Sequence, residues 1–484
     1  MSAGPGPAHP RERGALAILL HTHMPYVEGF GSWPFGEEWL WEAIASCYLP
    51  LLDLLESDPP LTLSLTPVLC DQLEADGIAA RFRSFVEEVR TFTHAEDARG
   101  LREAGHEQLA GELERAYGDY ATAAERMPTD ARGLMNALCA HASWTSSATH
   151  AILPLLATDP LLRAQVESGI AAHRARTGET WHGGFWLPEC AHAPELEPLL
   201  VRAGVRASCV ELTGRFGAGA REHLRPLVGA SGLQLVPIDR ATIDLVWGEL
   251  GYPANGVYRD YHRSTIHNHH PWRNDGGAYD FEVATALAQR HAADFVERVG
   301  ARLARDGRGL PGGGLIVCAV DTELFGHWWY EGPTWLRAVV EECSRQGVEL
   351  TPLDEALARI EPEQLGSEAA EWAPSSWGEH GDLSTWSTSC RAVAAMAFET
   401  RASELRLLRA GRRAGATALR ELLALQSSDW AFMLTRELAA PYAHERFDGH
   451  RLALEEALER GPGAPTESLR ELASHAEPAL LFEP

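Results

Sequence analysis

Two acidic side chains end apolar segments in a way that could carry bond-breaking chemistry. Glu189 closes Gly183-Gly184-Phe185-Trp186-Leu187-Pro188-Glu189, and Asp321 follows the apolar run Leu315-Ile316-Val317-Cys318-Ala319-Val320. A strand ending in proline puts Glu189 just past its rim, between aromatics that can desolvate the carboxylate. Brought together, two carboxylates permit glycosidic chemistry, one as nucleophile or base and the other as proton donor. A gap of about 5–5.5 Å then means retention of configuration and roughly 6.5–9.5 Å inversion. Each residue also has a plainer reading, Glu189 as a surface loop residue and Asp321 as a helix N-cap.

His21 and His23 are two apart at the end of another apolar run, which directs both imidazoles to the same face. They suit either half of a metal site or hydrogen bonding to sugar hydroxyls. A binuclear centre bridged by a carboxylated lysine is excluded, because all 42 basic residues are arginine. No metal is expected. His267-Asn268-His269-His270 lies in a polar, proline-flanked stretch that reads as a loop. Trp33, Trp186, Trp247, Trp328, Trp377, Trp386 and Trp430 recur near the same proposed rim, and indole faces stack on pyranose rings.

The elements that must position these residues alternate. Short β-type runs at 15–20, 61–65, 143–147, 184–187, 207–212, 233–238, 315–320 and 348–350 are separated by longer amphipathic stretches. This pattern predicts parallel strands with helical crossovers, and seven or eight such strands could close a barrel. His21, His23, His150, Glu189, Asp239 and Asp321 all follow strand ends, where barrel active sites gather. Residues 74–140 read as a helical insertion with a solvated Glu/Arg face. Residues 1–13 read as a disordered tail, 14–370 as the barrel and 371–484 as a C-terminal helical domain.

The composition narrows the function classes. A net charge of −26 repels phosphate backbones and anionic membrane surfaces, so neither nucleic acid nor membrane is an expected partner. The absence of lysine excludes a pyridoxal Schiff base, an aldolase-type imine and a Walker A loop. Eight scattered cysteines without a C-x-x-C pair suggest a reduced, cytoplasmic protein.

In order along the chain, His21-Thr22-His23-Met24-Pro25-Tyr26-Val27, Trp33-Pro34-Phe35-Gly36-Glu37-Glu38, Gly184-Phe185-Trp186-Leu187-Pro188-Glu189, Asp321 to Gly332 and Ser376-Trp377-Gly378 resemble family 57 of the glycoside hydrolases. The likeness is strongest to its α-1,4-glucan branching enzymes, to which Val246-Trp247 to Gly251-Tyr252-Pro253 and Ser428-Asp429-Trp430 are also similar. The resemblance implies an α/β fold: a (β/α)7 barrel with a helical insertion and a C-terminal all-α domain. It implies a retaining, cofactor-free and metal-independent reaction on α-glucans such as amylose, glycogen and maltooligosaccharides. Glu189 matches the family's nucleophile and Asp321 its general acid/base. His21, His23 and His150 match residues lining the donor-sugar subsite. Trp33, Trp186, Trp247, His327, Trp377, Trp386, Asp429 and Trp430 match further cleft positions.

The chain departs from this pattern between its fifth and sixth expected strands. Branching members carry a long loop there with a tyrosine near its tip, whereas residues 213–232 are short and contain none. Ala151-Ile152-Leu153 also replaces a Gly-Tyr-Ser type segment after His150. A lid that excludes water favours transfer to a sugar hydroxyl. Hydrolysis with the same carboxylates, or glucan binding without turnover, therefore stands beside branching as an alternative.

Overall fold

A computed structural model describes residues 14–31, 36–130, 132–178, 181–439, 441–464 and 469–482. The expected tail 1–13 and the expected cleft residue Trp33 lie outside them. Seven apolar runs become strands: β1 Ala15–Thr22, β2 Thr62–Leu65, β3 Ala142–Ser146, β4 Phe185–Trp186, β5 Ala207–Val210, β6 Gln234–Pro237 and β7 Leu315–Asp321. Burial of all eight residues of β1 explains its unbroken apolar sequence, since a parallel strand covered on both faces has no polar alternation.

The strands pair in parallel in the order β7-β1-β2-β3-β4 and, separately, β5-β6. Two links join these sets into a ring. Gly184 bridges Ala207 at the start of β5, and the Asp239 amide, two residues past β6, donates to the Val317 carbonyl of β7 at 2.9 Å. The result is an α/β barrel of seven staves whose C-terminal ends share one rim. The expected strand at 348–350 is not an eighth stave. Its residues Glu349–Leu350 pair with Ala15–Leu16, on the edge of β1 left free because β2 pairs with β1 only from Leu19 onward.

Close packing fixes the staves. A Cβ on Gly184 would fall 2.2 Å from Nε1 of Trp144, and that indole nitrogen donates to Asp354 at 3.0 Å. Glycine is therefore needed where β3 and β4 meet. Between β2 and β3 the chain forms helices that include Thr91–Glu103 and Glu107–Arg126. After residue 390 come helices Arg391–Ala410, Ala416–Leu425, Ser428–Thr435 and Tyr442–Arg460. Among the described residues no helix is long and apolar enough to cross a membrane.

Buried polar bonds tie these last helices to the barrel. Gln165 donates to Gln426 at 2.9 Å, Thr149 donates to the Leu423 carbonyl, and the Ser428 amide donates to the His150 carbonyl at 3.1 Å. Such groups would be costly to leave unpaired in the interior, so the bonds fix how the helices sit on the rim.

Candidate active site

Register brings the first reactive residues together. His21 on β1 lies directly opposite Asp321 on β7, and His23 continues β1 past the rim. Glu189 arrives from the turn after β4 in a left-handed backbone conformation, φ 60°, followed by Cys190 at φ 50°. His150, after β3, has φ 59°. Non-glycine residues are held in this region only where the surroundings over-determine them, and such strain tends to cluster at functional sites. For Glu189 one restraint is visible: its carbonyl accepts the Trp377 amide at 3.0 Å.

The side chains form a connected network. Trp377 Nε1 donates to Glu189 Oε2 at 2.7 Å, while Glu189 Oε1 lies 3.9 Å from His150 Nδ1. The Nε2 atoms of His150 and His21 are 3.0 Å apart, so one ring donates to the other. His150 Nδ1 also meets Ser428 Oγ at 2.8 Å, and His21 stacks on Trp186 with centroids 4.4 Å apart. His23 Nε2 pairs with Asp429 Oδ1 at 2.9 Å, which brings a residue of helix Ser428–Thr435 into the barrel's mouth.

Burial and charge set the protonation of this network. Burial pushes Glu189 up to about 8, helped by repulsion from Asp321 and opposed by the Trp377 hydrogen bond. Asp321 is pushed up to about 7 by burial and by the neighbouring Glu323, against the attraction of His23. Both carboxyls are therefore held protonated to higher pH than free ones. Burial also disfavours a charge on His23, but Asp429, Glu189 and Asp321 outweigh it and the pKa rises. His21 and His150 are driven well below the ordinary histidine range, first by burial, and are neutral. Two carboxyls beside an imidazole whose charged form Asp429 favours can deliver a proton and attack an electrophilic carbon in one pocket.

Residues 144–369 match glycosyl hydrolase family 57, and residues 390–478 match the C-terminal region of 1,4-alpha-glucan branching enzymes. The chain is 31% identical to the 1,4-alpha-glucan branching enzyme TK1436 of Thermococcus kodakarensis, over 92% of this chain and 74% of that protein. It is 32% identical to the probable 1,4-alpha-glucan branching enzyme Rv3031 of Mycobacterium tuberculosis, over 92% of this chain and 91% of that one. The crystal structure of a family-57-type branching enzyme from Pyrococcus horikoshii superposes with a TM-score of 0.83 at 29% identity, covering 97% of this chain and 95% of that one. This chain belongs to glycosyl hydrolase family 57.

The family-57 site does not gather every residue expected from the sequence. Glu189, Asp321, His21, His23, His150, Trp377 and Asp429 converge, and Trp186 lies beneath them. Trp186 and Trp430 are fully buried and Trp386 is 3% exposed, so none of the three offers a free face to a sugar. Trp186 supports the His21 ring from below. Trp430 donates to the Ala424 carbonyl at 2.9 Å inside the C-terminal helices, and Trp386 lines a small cavity together with Ile152 and Met396. Trp247 and His327 stand on a different wall: Trp247 meets Trp328 edge-on at 5.3 Å, and His327 meets Tyr261 at 5.8 Å.

Other members of the network had weaker signals in the sequence. Ser64 and Thr66, at the end of β2, approach His21 and His23 at 3.4 and 3.3 Å. Glu323 accepts the Tyr48 hydroxyl at 2.7 Å and the His23 amide at 3.2 Å. The spacing Asp321-Thr322-Glu323 was the available signal for Glu323. Nothing marks a lone serine or threonine on a β-type run. His23, His150 and Asp429 also place one ligand-type atom each within 4.8 Å of one another. All three already hold partners in the hydrogen-bonded network described above, and a metal ion would have to displace those bonds.

Proposed function

We propose that the protein is a retaining 1,4-α-glucan branching enzyme, acting on amylose-like chains in glycogen or related polysaccharide metabolism. The observation that carries this reading is the pair Glu189 and Asp321, half-buried on one rim with both pKa values raised, in a chain similar along its length to named branching enzymes. Eight unpaired thiols agree with a reducing, cytoplasmic setting.

Asp321 protonates the leaving glucan oxygen while Glu189 attacks the anomeric carbon, giving a covalent glycosyl-enzyme. Asp321, now ionised, takes the proton from the 6-hydroxyl of an acceptor chain as that oxygen displaces Glu189. The Trp377 N–H favours the ionised form of Glu189 that an attacking carboxylate needs, against the burial and the Asp321 charge that raise its pKa. Burial, which raises Asp321 to about 7, supports the acid role, because it favours the protonated form.

One observation favours hydrolysis as a second reading. Residues 213–232 are held down against other parts of the chain: Arg215 lies over the Trp372 ring at 4.0 Å, Phe216 meets that ring edge-on at 6.1 Å, and Leu227–Val228 pairs antiparallel with β6. A segment folded in this way, and without tyrosine, lacks the aromatic lid expected to exclude water. Incubation with amylose separates the readings through iodine colour, reducing ends and chains released by a debranching enzyme. Branching gives colour loss and debranchable chains with few new reducing ends. Reducing ends rising in step with colour loss, with no debranchable product, would overturn it.

A further inference from the structure

A cavity of about 580 Å³ lies where the barrel rim meets the helical insertion, and neither Glu189 nor Asp321 lines it. Its walls come from helix Glu37–Ala43 and the turns after it, helix Glu107–Arg126, the loop around residues 259–270, and the segment following Asp321. The size is that of a small-molecule site.

The aromatic side chains in and beside it are continuous. Trp247, 42% exposed, meets Trp328, 37% exposed, at 5.3 Å. Trp328 meets His327 at 5.7 Å, His327 meets Tyr261 at 5.8 Å, and Tyr261 stacks on His270 at 5.7 Å. Trp328 is seven residues beyond Asp321, so the track starts close to the reacting carboxylates in sequence and runs into the cavity. Large rings left open to solvent in a row are unusual unless something covers them.

The polar lining selects the occupant. Glu38, Glu42, Asp119 and Glu331 line the cavity. The arginines on its wall are already engaged, Arg126 with Asp53 and Arg259 with Glu112 at 2.5 Å. Glu38 and Glu42 are paired with Arg90, and Asp119 with Arg115, so the lining is charge-compensated and has no spare cation for a phosphate or carboxylate ligand. Carboxylate acceptors beside exposed aromatic faces suit a neutral polyol ring, whose hydroxyls donate and whose C–H face stacks.

We propose that this cavity is a second saccharide subsite, which holds a segment of α-1,4-glucan away from the reacting bond and thereby anchors the acceptor chain. The proposal rests on the α-glucan reading above. Its critical residue is Tyr261, 39% exposed and central to the track.

Maltotriose titrated calorimetrically into full-length Glu189→Gln protein tests it. Two binding events per chain are expected. Glu189→Gln/Tyr261→Ala is expected to lose one of them, and so is Glu189→Gln/Thr122→Trp, which puts bulk at the exposed Thr122 on the cavity wall. In the otherwise wild-type protein, Tyr261→Ala should leave maltoheptaose cleavage within about twofold while lowering transfer to long acceptors roughly tenfold, the loss of one stacking contact. Identical stoichiometry and affinity in all three silenced proteins would overturn the proposal, as would transfer unchanged by Tyr261→Ala. If no α-1,6 linkage ever forms but the second binding event is still lost on mutation, the branching reading fails and the subsite stands.

Discussion

The protonation of Glu189 and of Asp321 is the property on which the chemistry turns, and single side chains tune it. Trp377→Phe keeps a ring near Trp186 but deletes the N–H that favours ionised Glu189. The Glu189 pKa should rise, moving the acid limb of the pH–rate profile to higher pH and lowering neutral-pH turnover about tenfold. An acid limb that stays in place would show that Glu189 is not the group that must ionise. Glu189→Gln and Asp321→Asn should each reduce turnover by at least about 10³-fold with far-UV circular dichroism unchanged. Substantial residual activity in either would contradict the assigned roles. Glu323 carries a cost of a different kind. Burial raises it to about 8, so the folded state keeps its proton while the unfolded state releases it above about 4.5. Its contribution to stability is thus fully present below that lower value and lost as pH rises towards 8. Glu323→Gln should accordingly show a smaller fall in Tm between pH 5 and 8 than wild type, measured by calorimetry. An equal fall would mean that Glu323 is ionised in the fold.

Elements explain what was readable in advance. Each stave announced itself as a short β-type run, and the reactive residues stood at or within a few residues of the ends of these runs, so parallel pairing alone sends them to one rim. His21, His23, His150, Glu189 and Asp321 were legible for that reason. The tryptophans were not, because a Trp that stacks on a ligand and one that packs in a core have the same neighbours in sequence. Trp430 sits in Ser-Ser-Asp-Trp-Ala-Phe, where only the helix direction decides that Asp429 faces the mouth and the indole faces inward. The left-handed turn at Glu189 carries no glycine signal, since the strain is imposed from outside by Trp377 and the packed β4 end. The span 348–350 looked like a stave and is only a short edge pair, because it meets β1 at just two residues, Ala15 and Leu16, below where β2 begins to pair. Gly184 tests the packing of the staves directly. Gly184→Ala forces the Trp144 indole off Asp354 and should lower stability by about 1–3 kcal/mol, read as a lower denaturation midpoint. Unchanged stability would mean that β3 and β4 have room to part.

At the scale of the whole molecule, the catalytic mouth is built by both ends of the chain. His23 from the first strand is held by Asp429, and His150 by Ser428, each from a helix more than 270 residues downstream. The attachment is wider than the site. Tyr26 donates to the Leu469 carbonyl at 2.9 Å, the Ala473 amide donates to Asp71 at 2.7 Å, Arg470 pairs with Glu28, and Glu404 accepts the Ala157 amide at 3.0 Å. Ending the chain at residue 388 would strand these buried groups at about 1–3 kcal/mol each and also uncover the apolar face beneath the helices. Marginal stability of 5–15 kcal/mol cannot absorb that many losses. The shortened chain should therefore bind a hydrophobic dye, lack a cooperative melting transition and show no turnover on amylose. The intact chain should melt in one transition followed equally by tryptophan fluorescence and loss of activity. A soluble, cooperatively folded fragment that still cleaves amylose would show that the barrel holds His23 and His150 unaided, and that Asp429 and Ser428 are incidental to the site.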